Sequence, residues 1–127
     1  YCEAMQGLVP DPNIYGLKGI ELAFDYGDEW LMAVLAYLKE NRDYLARELA
    51  KIPGLCYTLP EATFLMWLDF SETKLKDYAY ETLLENNLAL NDGRLFGASG
   101  SFVRLNFATP RLRLQRAITM LHTLFDL

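Results

Sequence analysis

An apolar, strand-like run near the end of the chain carries one arginine at its centre. The run reads Phe-Val-Arg-Leu-Asn-Phe over residues 102–107. Alternation along a strand places Arg104 on the same face as Phe102 and Asn106, opposite the aliphatic side chains. A guanidinium keeps its charge in proteins, and burying that charge without a partner is costly. We therefore expect Arg104 to meet either a carboxylate of the same chain, such as Asp69 or one on a nearby helix, or an anion from outside.

The composition is that of a globular domain. The chain has 127 residues, of which 52% are hydrophobic and 23% are charged, and this length suits one domain. A net charge of −5 argues against nucleic acid or an anionic membrane as a partner. Cys2 and Cys56 lack the paired spacing of a zinc site and favour a reducing compartment. Since no apolar run of about 18 residues occurs, we expect a cytoplasmic protein. The start at Tyr1, in place of a methionine, indicates a piece of a longer chain.

Turn and cap residues divide the chain into eight elements. Asn13 caps a first helix that ends at Gly27, and Asp28 caps a longer helix that ends at Pro53. The remaining order is strand, strand, helix, strand, strand and helix, over residues 55–59, 63–70, 74–86, 88–90, 102–107 and from 110 onward. Segregated helices and a small, mainly antiparallel sheet predict an α+β, two-layer domain.

The apolar side chains also predict which residues form the core. The near-continuous apolar run at 64–68 predicts a strand that is buried on both faces. Trp30 and Trp67 are expected in the core. For the last helix, the sequence predicts Thr109 as the N-cap and Pro110 at the first helical position. The predicted buried stripe of that helix is Leu112, Ile118, Leu121 and Phe125, or a similar set of apolar residues.

A self-sufficient active site is not visible in the sequence. The one histidine, His122, has no cysteine or serine nucleophile motif beside it, and no metal-binding or nucleotide-binding motif occurs. We therefore expect no catalytic residue and no metal site in this chain. Arg104 remains as a candidate binding residue, because the planar, forked guanidinium suits bidentate binding of a small carboxylate. Glycines at 93, 97 and 100 precede it and let a loop approach a ligand closely.

Several motifs, in the same order and spacing over nearly the whole chain, resemble those of one enzyme family. They are Pro-Asn-Ile-Tyr-Gly at 12–16, Asp-Glu-Trp-Leu at 28–31, Tyr-Leu-Lys-Glu-Asn at 37–41, Pro-Glu-Ala-Thr-Phe-Leu-Met-Trp-Leu-Asp at 60–69, and a closing group of Gly93, Phe96-Gly97, Gly100, Phe-Val-Arg-Leu-Asn at 102–106 and Pro110-Arg111. Together they resemble the C-terminal part of fold-type I pyridoxal-phosphate enzymes, in the cystathionine β-lyase-like branch of the class I and II aminotransferases. Ala62 and Asp92 stand where glycine and proline are usual, which affects the shape of the substrate pocket more than the fold.

The resemblance implies a role for Arg104. In this family the arginine at this position pairs with the α-carboxylate of an amino-acid substrate. The cofactor, pyridoxal phosphate, is held by a lysine in a preceding large domain, and none of the five lysines here lies in a matching context. No cofactor-binding residue is identified in this chain. Asn13 and Tyr15 are implied as neighbours of the active site, at a dimer boundary.

The resemblance also implies a domain organisation and a function. Residues 1–27 are then a connecting segment and helix, and residues 28–127 are the small C-terminal domain. The intact enzyme is expected to be a homodimeric C–S β-lyase or aminotransferase, and the isolated chain is expected to be inactive. The alternative is a stand-alone α+β module that binds a small carboxylate or a protein partner. A Ser-Lys strand and loop encoded upstream of Tyr1 would favour the enzyme.

Overall fold

The computed structural model describes residues 13–127, and its elements follow the predicted order. The helices are α1 (Ile14–Tyr26), α2 (Asp28–Leu49), α3 (Ala79–Glu85) and α4 (Arg111–Leu124), and the strands are β1 (Cys56–Thr58), β2 (Leu65–Asp69), β3 (Asn91–Asp92) and β4 (Phe102–Asn106). Short 3-10 helices lie at Lys76–Tyr78 and Gly93–Phe96. The helix predicted over 74–86 is thus a 3-10 turn followed by the shorter α3. Cys2 and the predicted connecting segment up to residue 12 lie outside the described residues.

The chain divides into two units, residues 1–36 and residues 37–127. In the first unit α1 has the predicted caps: the Asn13 side chain accepts a hydrogen bond of 2.8 Å from the amide three residues on, and Gly27 ends the helix. Trp30 is 71% exposed, so its predicted place in the core is wrong. Two consecutive helical segments without a further layer do not enclose a side chain of that size. The domain boundary expected after Gly27 remains a prediction, and the division between the units falls inside α2.

The strands form one antiparallel sheet in the order β1-β2-β4-β3. Trp67 of β2 and Asn91 of β3 lie opposite Arg104 of β4, one on each side. This sheet and the helices confirm the predicted α+β class. The strand predicted at 88–90 falls instead at Asn91–Asp92, because Leu88 is buried in the core and the pairing with β4 begins only after it.

Within residues 37–127, the second half of α2 together with α3 and α4 covers one face of this sheet. That face and the helices form a single core, to which the main contributors are Leu45, Leu49, Met66, Leu68, Leu83, Val103, Leu105, Phe107, Leu114, Ile118 and Leu121. Along β2 the fully buried Met66 and Leu68 alternate with the partly exposed Leu65 and Trp67. The prediction that β2 is buried on both faces is therefore wrong, and Trp67 lies outside the core. Within residues 37–127, the second face of the sheet has no helical layer.

Helix α4 begins one residue later than predicted, and it buries the predicted Ile118 and Leu121 but Leu114 in place of Leu112. Pro110 has an extended ψ of 139° and occupies the N-cap, so the prediction of Thr109 as the N-cap is wrong. In its place, the Tyr37 hydroxyl accepts a hydrogen bond of 2.7 Å from the Arg111 amide. The buried residues of the helix are Leu114, Ile118 and Leu121, while Leu112 is 59% exposed. Within residues 13–127, no helix combines the length and the apolar character that crossing a membrane requires.

Candidate functional site

The sheet face that lacks helices, here called the open face, carries the candidate site. It presents the outward residues of β2 and β4, which are Leu65, Trp67, Asp69, Phe102, Arg104 and Asn106. Val103 and Leu105 are committed to the core, and strict alternation along β4 then places Arg104 on the opposite face. The face predicted for Arg104 from the sequence is the observed one.

The guanidinium of Arg104 has little hydrogen bonding within the chain. Its Nη2 donates one long hydrogen bond of 3.3 Å to the Asn91 side chain. Its Nε is buried and has no acceptor among residues 13–127. An arginine has five N–H donors, so most of the capacity of Arg104 is not met by the described part of the chain.

Carboxylates of the described residues do not neutralise Arg104. The ion pairs found there join other groups, and none includes Arg104. Asp69, one of the partners that the sequence suggested, accepts a hydrogen bond of 2.9 Å from the Ser71 amide. Among residues 13–127, the salt bridge that the sequence suggested as one alternative is therefore not formed, and the binding of an anion from outside remains a prediction.

One aromatic ring packs on the Arg104 guanidinium and belongs to a cluster of three aromatic residues. The Phe96 ring lies under the guanidinium, with 4.1 Å between the guanidinium carbon and the ring centroid. Trp67 contacts Phe96 edge-on at 5.9 Å and stacks on Phe102 at 5.7 Å, measured between centroids. These rings hold water away from one side of the charge, and a low local dielectric strengthens the attraction of that charge for an anion.

A charged cluster holds the loop that carries Phe96. The Asp92 side chain caps the 3-10 helix by accepting from the Arg94 amide at 2.9 Å and also pairs with the Arg94 Nε at 2.9 Å. The Arg94 guanidinium forms an ion pair with Glu81 of α3. Hydrogen bonding from Arg94 lowers the pKa of Glu81 below its ordinary value, and the bonds to Glu81 and Asp92 raise the pKa of Arg94. The loop is therefore anchored both to β3 and to α3.

Two glycines of this loop are needed for its shape. A Cβ at Gly93 would lie 2.5 Å from the backbone oxygen of Phe102, too close for any other residue. Gly97 has a φ of +81°, in the left-handed region that favours glycine, and it ends the 3-10 helix directly after Phe96. The close approach seen at Gly93 is to β4, and the expected approach of this loop to a ligand remains a prediction.

The other residues that the sequence singled out lie elsewhere. Asn13 and Tyr15 belong to the first unit, where the Asn13 oxygen is used in the helix cap and Tyr15 is 87% exposed. Their role beside an active site remains a prediction. His122 of α4 is half-buried, and its Nε2 lies 3.2 Å from the backbone oxygen of Glu48. Among residues 13–127, no cluster of three or more histidine, cysteine or acidic side chains is arranged to hold a metal ion.

Three features of the site were missed from the sequence. Asn91 follows the strand predicted at 88–90 and has no predicted role, Phe96 appears only as part of a motif, and the ion pair between Glu81 and Arg94 joins residues 13 positions apart. One available signal was the placement of an aromatic residue directly before Gly97. Its contact with Arg104 depends on the path of the loop, which no local pattern fixes.

Comparisons with known proteins point to one family. The family described as aminotransferase class I and II matches residues 18–121. Cystathionine beta-lyase from Corynebacterium glutamicum is 39% identical over 107 residues, which cover 84% of this chain and 29% of that protein. Protein MalY from Escherichia coli is 32% identical over 124 residues, covering 93% of this chain and 32% of that protein.

A solved structure supports the same relationship. The solved protein is assigned as a PLP-dependent beta-cystathionase from Corynebacterium diphtheriae, and it superposes on this chain with a TM-score of 0.84 at 39% sequence identity. The match covers 98% of this chain and 35% of the solved chain. The chain thus spans about a third of the length of the relatives that it matches.

Proposed function

Because this chain belongs to the class I and II aminotransferase family, we propose that it is the C-terminal domain of a pyridoxal-phosphate enzyme of the cystathionine β-lyase-like branch. The enzyme cleaves the Cβ–S bond of a sulfur-containing amino acid or transfers the amino group of its substrate. The identity to cystathionine β-lyases supports this assignment. Neither the comparisons nor the fold favours the alternative of a stand-alone binding module.

The role of this domain is to bind the α-carboxylate of the substrate through Arg104. The observation that carries this proposal is the unmet hydrogen-bonding capacity of Arg104: a half-buried guanidinium on the open face, with one long hydrogen bond and no carboxylate partner among residues 13–127. A carboxylate supplies both the missing charge and two acceptor oxygens in the geometry of the guanidinium fork.

Arg104 contributes to catalysis by orientation. Its Cα is held between β2 and β3 by the register of the sheet. Asn41 adds to this support, because its buried Nδ2 donates at 3.0 Å to the backbone oxygens of Phe107 and Thr109 and so ties α2 to the end of β4. A substrate whose carboxylate is bound to a rigid strand has already lost much of its translational and rotational freedom. Less entropy then remains to be lost on the way to the transition state.

We propose that pyridoxal phosphate is held mainly by a lysine in a preceding domain that this chain does not cover. The family resemblance supports this, since none of the five lysines here lies in a matching sequence context. The lysine hydrogen bonds among residues 13–127 join Lys18 to Glu21, Lys51 to Glu48 and Lys74 to Asp126. Homodimerisation of the intact enzyme and a cytoplasmic location belong to the same proposal, the latter supported by the free, exposed thiol of Cys56.

The experiment is the Arg104→Lys substitution in the full-length enzyme that contains this chain. Lysine keeps the charge but loses the fork, so kcat/KM for L-cystathionine is expected to fall about 10- to 150-fold, mainly through KM, which corresponds to about 1.5–3 kcal/mol for a charged hydrogen bond. Arg116→Lys, at an exposed position of α4, serves as the matched control. A KM that is unchanged by Arg104→Lys would remove the assigned role. Release of pyruvate without a 2-oxo acid acceptor identifies a lyase, and dependence on the acceptor identifies an aminotransferase.

A further inference from the structure

We infer that Phe96 is a positioning residue for substrate binding, because its ring fixes the plane in which the Arg104 guanidinium lies. This inference rests on the proposed role of Arg104. The two groups are 4.1 Å apart, from the guanidinium carbon to the ring centroid, which is within the range of a cation–π contact. Phe96 is 48% exposed, so the contact forms one wall of the open face and not part of the core.

The other restraints on the guanidinium are too weak to set its orientation. The single hydrogen bond to Asn91 is 3.3 Å long, longer than a typical N–H···O hydrogen bond. The register of the sheet holds the Cα atom, but the side chain beyond it has several rotatable bonds. A ring whose face packs against the guanidinium restricts the rotation of the guanidinium plane, and that plane decides where the two donors of the fork point. Phe96 is therefore the contact that prepares Arg104 for a carboxylate.

Phe96 can orient the Arg104 guanidinium because its own position is fixed by several contacts. Trp67 contacts its ring edge-on. The 3-10 helix that it ends is held by Arg94, which bonds both to Asp92 at the start of that helix and to Glu81 on α3. The close packing of Gly93 against Phe102 joins the same loop to β4. The loop and the strand thus move together, and the stacked geometry is preserved.

The physical basis of the contact predicts which substitutions are tolerated. A cation is attracted to the electron-rich face of an aromatic ring, and tyrosine offers the same face as phenylalanine. Leucine retains much of the apolar volume but has no such face. Phe96→Tyr should therefore preserve substrate binding, and Phe96→Leu should weaken it.

The first test uses steady-state kinetics of the full-length enzyme with L-cystathionine. Phe96→Leu is expected to raise KM about 3- to 30-fold and to leave kcat within about twofold, whereas Phe96→Tyr stays close to the wild type in both. Leu95→Ala, at the exposed neighbouring position of the loop, is the matched control and should leave both constants unchanged. A purely structural role would instead lower kcat through loss of folded enzyme and would leave KM alone.

The second test measures binding alone, by calorimetry, with two probes. One is 2-aminoisobutyrate, which has a carboxylate but no α-proton, and the other is isopropylamine, which lacks the carboxylate. Phe96→Leu should weaken the first probe and not the second, and the ratio of the two dissociation constants is independent of how much enzyme is folded. If Arg104→Lys changes this ratio and Phe96→Leu does not, the inference about Phe96 fails while the role of Arg104 stands. If neither substitution changes it, both fail.

Discussion

The Arg94 side chain connects parts of the chain that are distant in sequence, and its effect on stability should depend on pH. Arg94 lowers the pKa of Glu81 below the ordinary value of 4.5, chiefly by hydrogen bonding to it. A carboxyl group whose pKa is lower in the folded state stabilises that state above its unfolded pKa, and the contribution disappears as the pH falls through the folded value. The ion pair is partly exposed, so the effect also weakens with salt.

The corresponding prediction concerns Glu81→Gln in this chain. At pH 7 the urea midpoint of the variant should lie below that of the wild type, and the difference should shrink toward zero as the pH is lowered to about 3. Glu85→Gln, at an exposed position of the same helix, is the control. A difference that persists unchanged at low pH would contradict the assignment of the pKa shift to the Arg94 contact.

At the residue scale the sequence predicts Arg104 well and its surroundings poorly. The face on which Arg104 lies follows from alternation in a single strand, which is a local rule. Its contacts with Asn91 and Phe96 depend on where β3 starts and on the path of the 93–100 loop, which are set by tertiary packing. The capping of α4 by Tyr37 is of the same kind, since that hydroxyl comes from a residue 74 positions earlier.

At the scale of elements, the register of α4 is the clearest difference between expectation and structure. The predicted stripe included Leu112, but the helix buries Leu114, Ile118 and Leu121, which are spaced four and three residues apart. At about 100° per residue, Leu112 lies about 160° around the helix from Leu114, whereas Ile118 and Leu121 lie within about 40° of Leu114, so helical periodicity favours Leu114 over Leu112. The extended ψ of Pro110 and the contact of Tyr37 with Arg111 set where the helix starts, while the buried side follows from the spacing of the apolar residues along it.

Leu112 and Leu114 offer a matched pair of substitutions on this one helix. Leu114 is 3% exposed and Leu112 is 59% exposed. Replacing Leu114 by alanine leaves a cavity and should lower the free energy of unfolding by about 2–5 kcal/mol. The same change at Leu112 should stay within about 0.5 kcal/mol. Urea denaturation of both variants of this chain measures the two values, and equal losses would show that the observed register of α4 is incorrect.

At the scale of the whole molecule, the fold class and the family follow from the order of motifs along the chain. The predicted strands and helices follow one another in the order that an α+β domain requires. The family match covers residues 18–121. Burial is less predictable, because it depends on what covers each face. Trp30 and Trp67 look like core residues from their size and apolar character, yet one is exposed in the first unit and the other lies on the open face.

The open face is also the basis for what we expect of the catalytic activity of the isolated chain. In our proposal Arg104 binds the α-carboxylate of the substrate, but binding alone does not catalyse a reaction. The chemistry requires a cofactor-binding lysine, and no lysine hydrogen bond of residues 13–127 involves the open face. We therefore expect the isolated chain, supplied with pyridoxal phosphate and L-cystathionine, to release pyruvate no faster than free pyridoxal phosphate does. The full-length enzyme, assayed in parallel with a coupled lactate dehydrogenase reaction, should release it readily if it is the lyase. Pyruvate formation by the isolated chain above the rate of the free cofactor would show that this domain contains a catalytic centre of its own, and the division of roles proposed for the two parts of the enzyme would then be wrong.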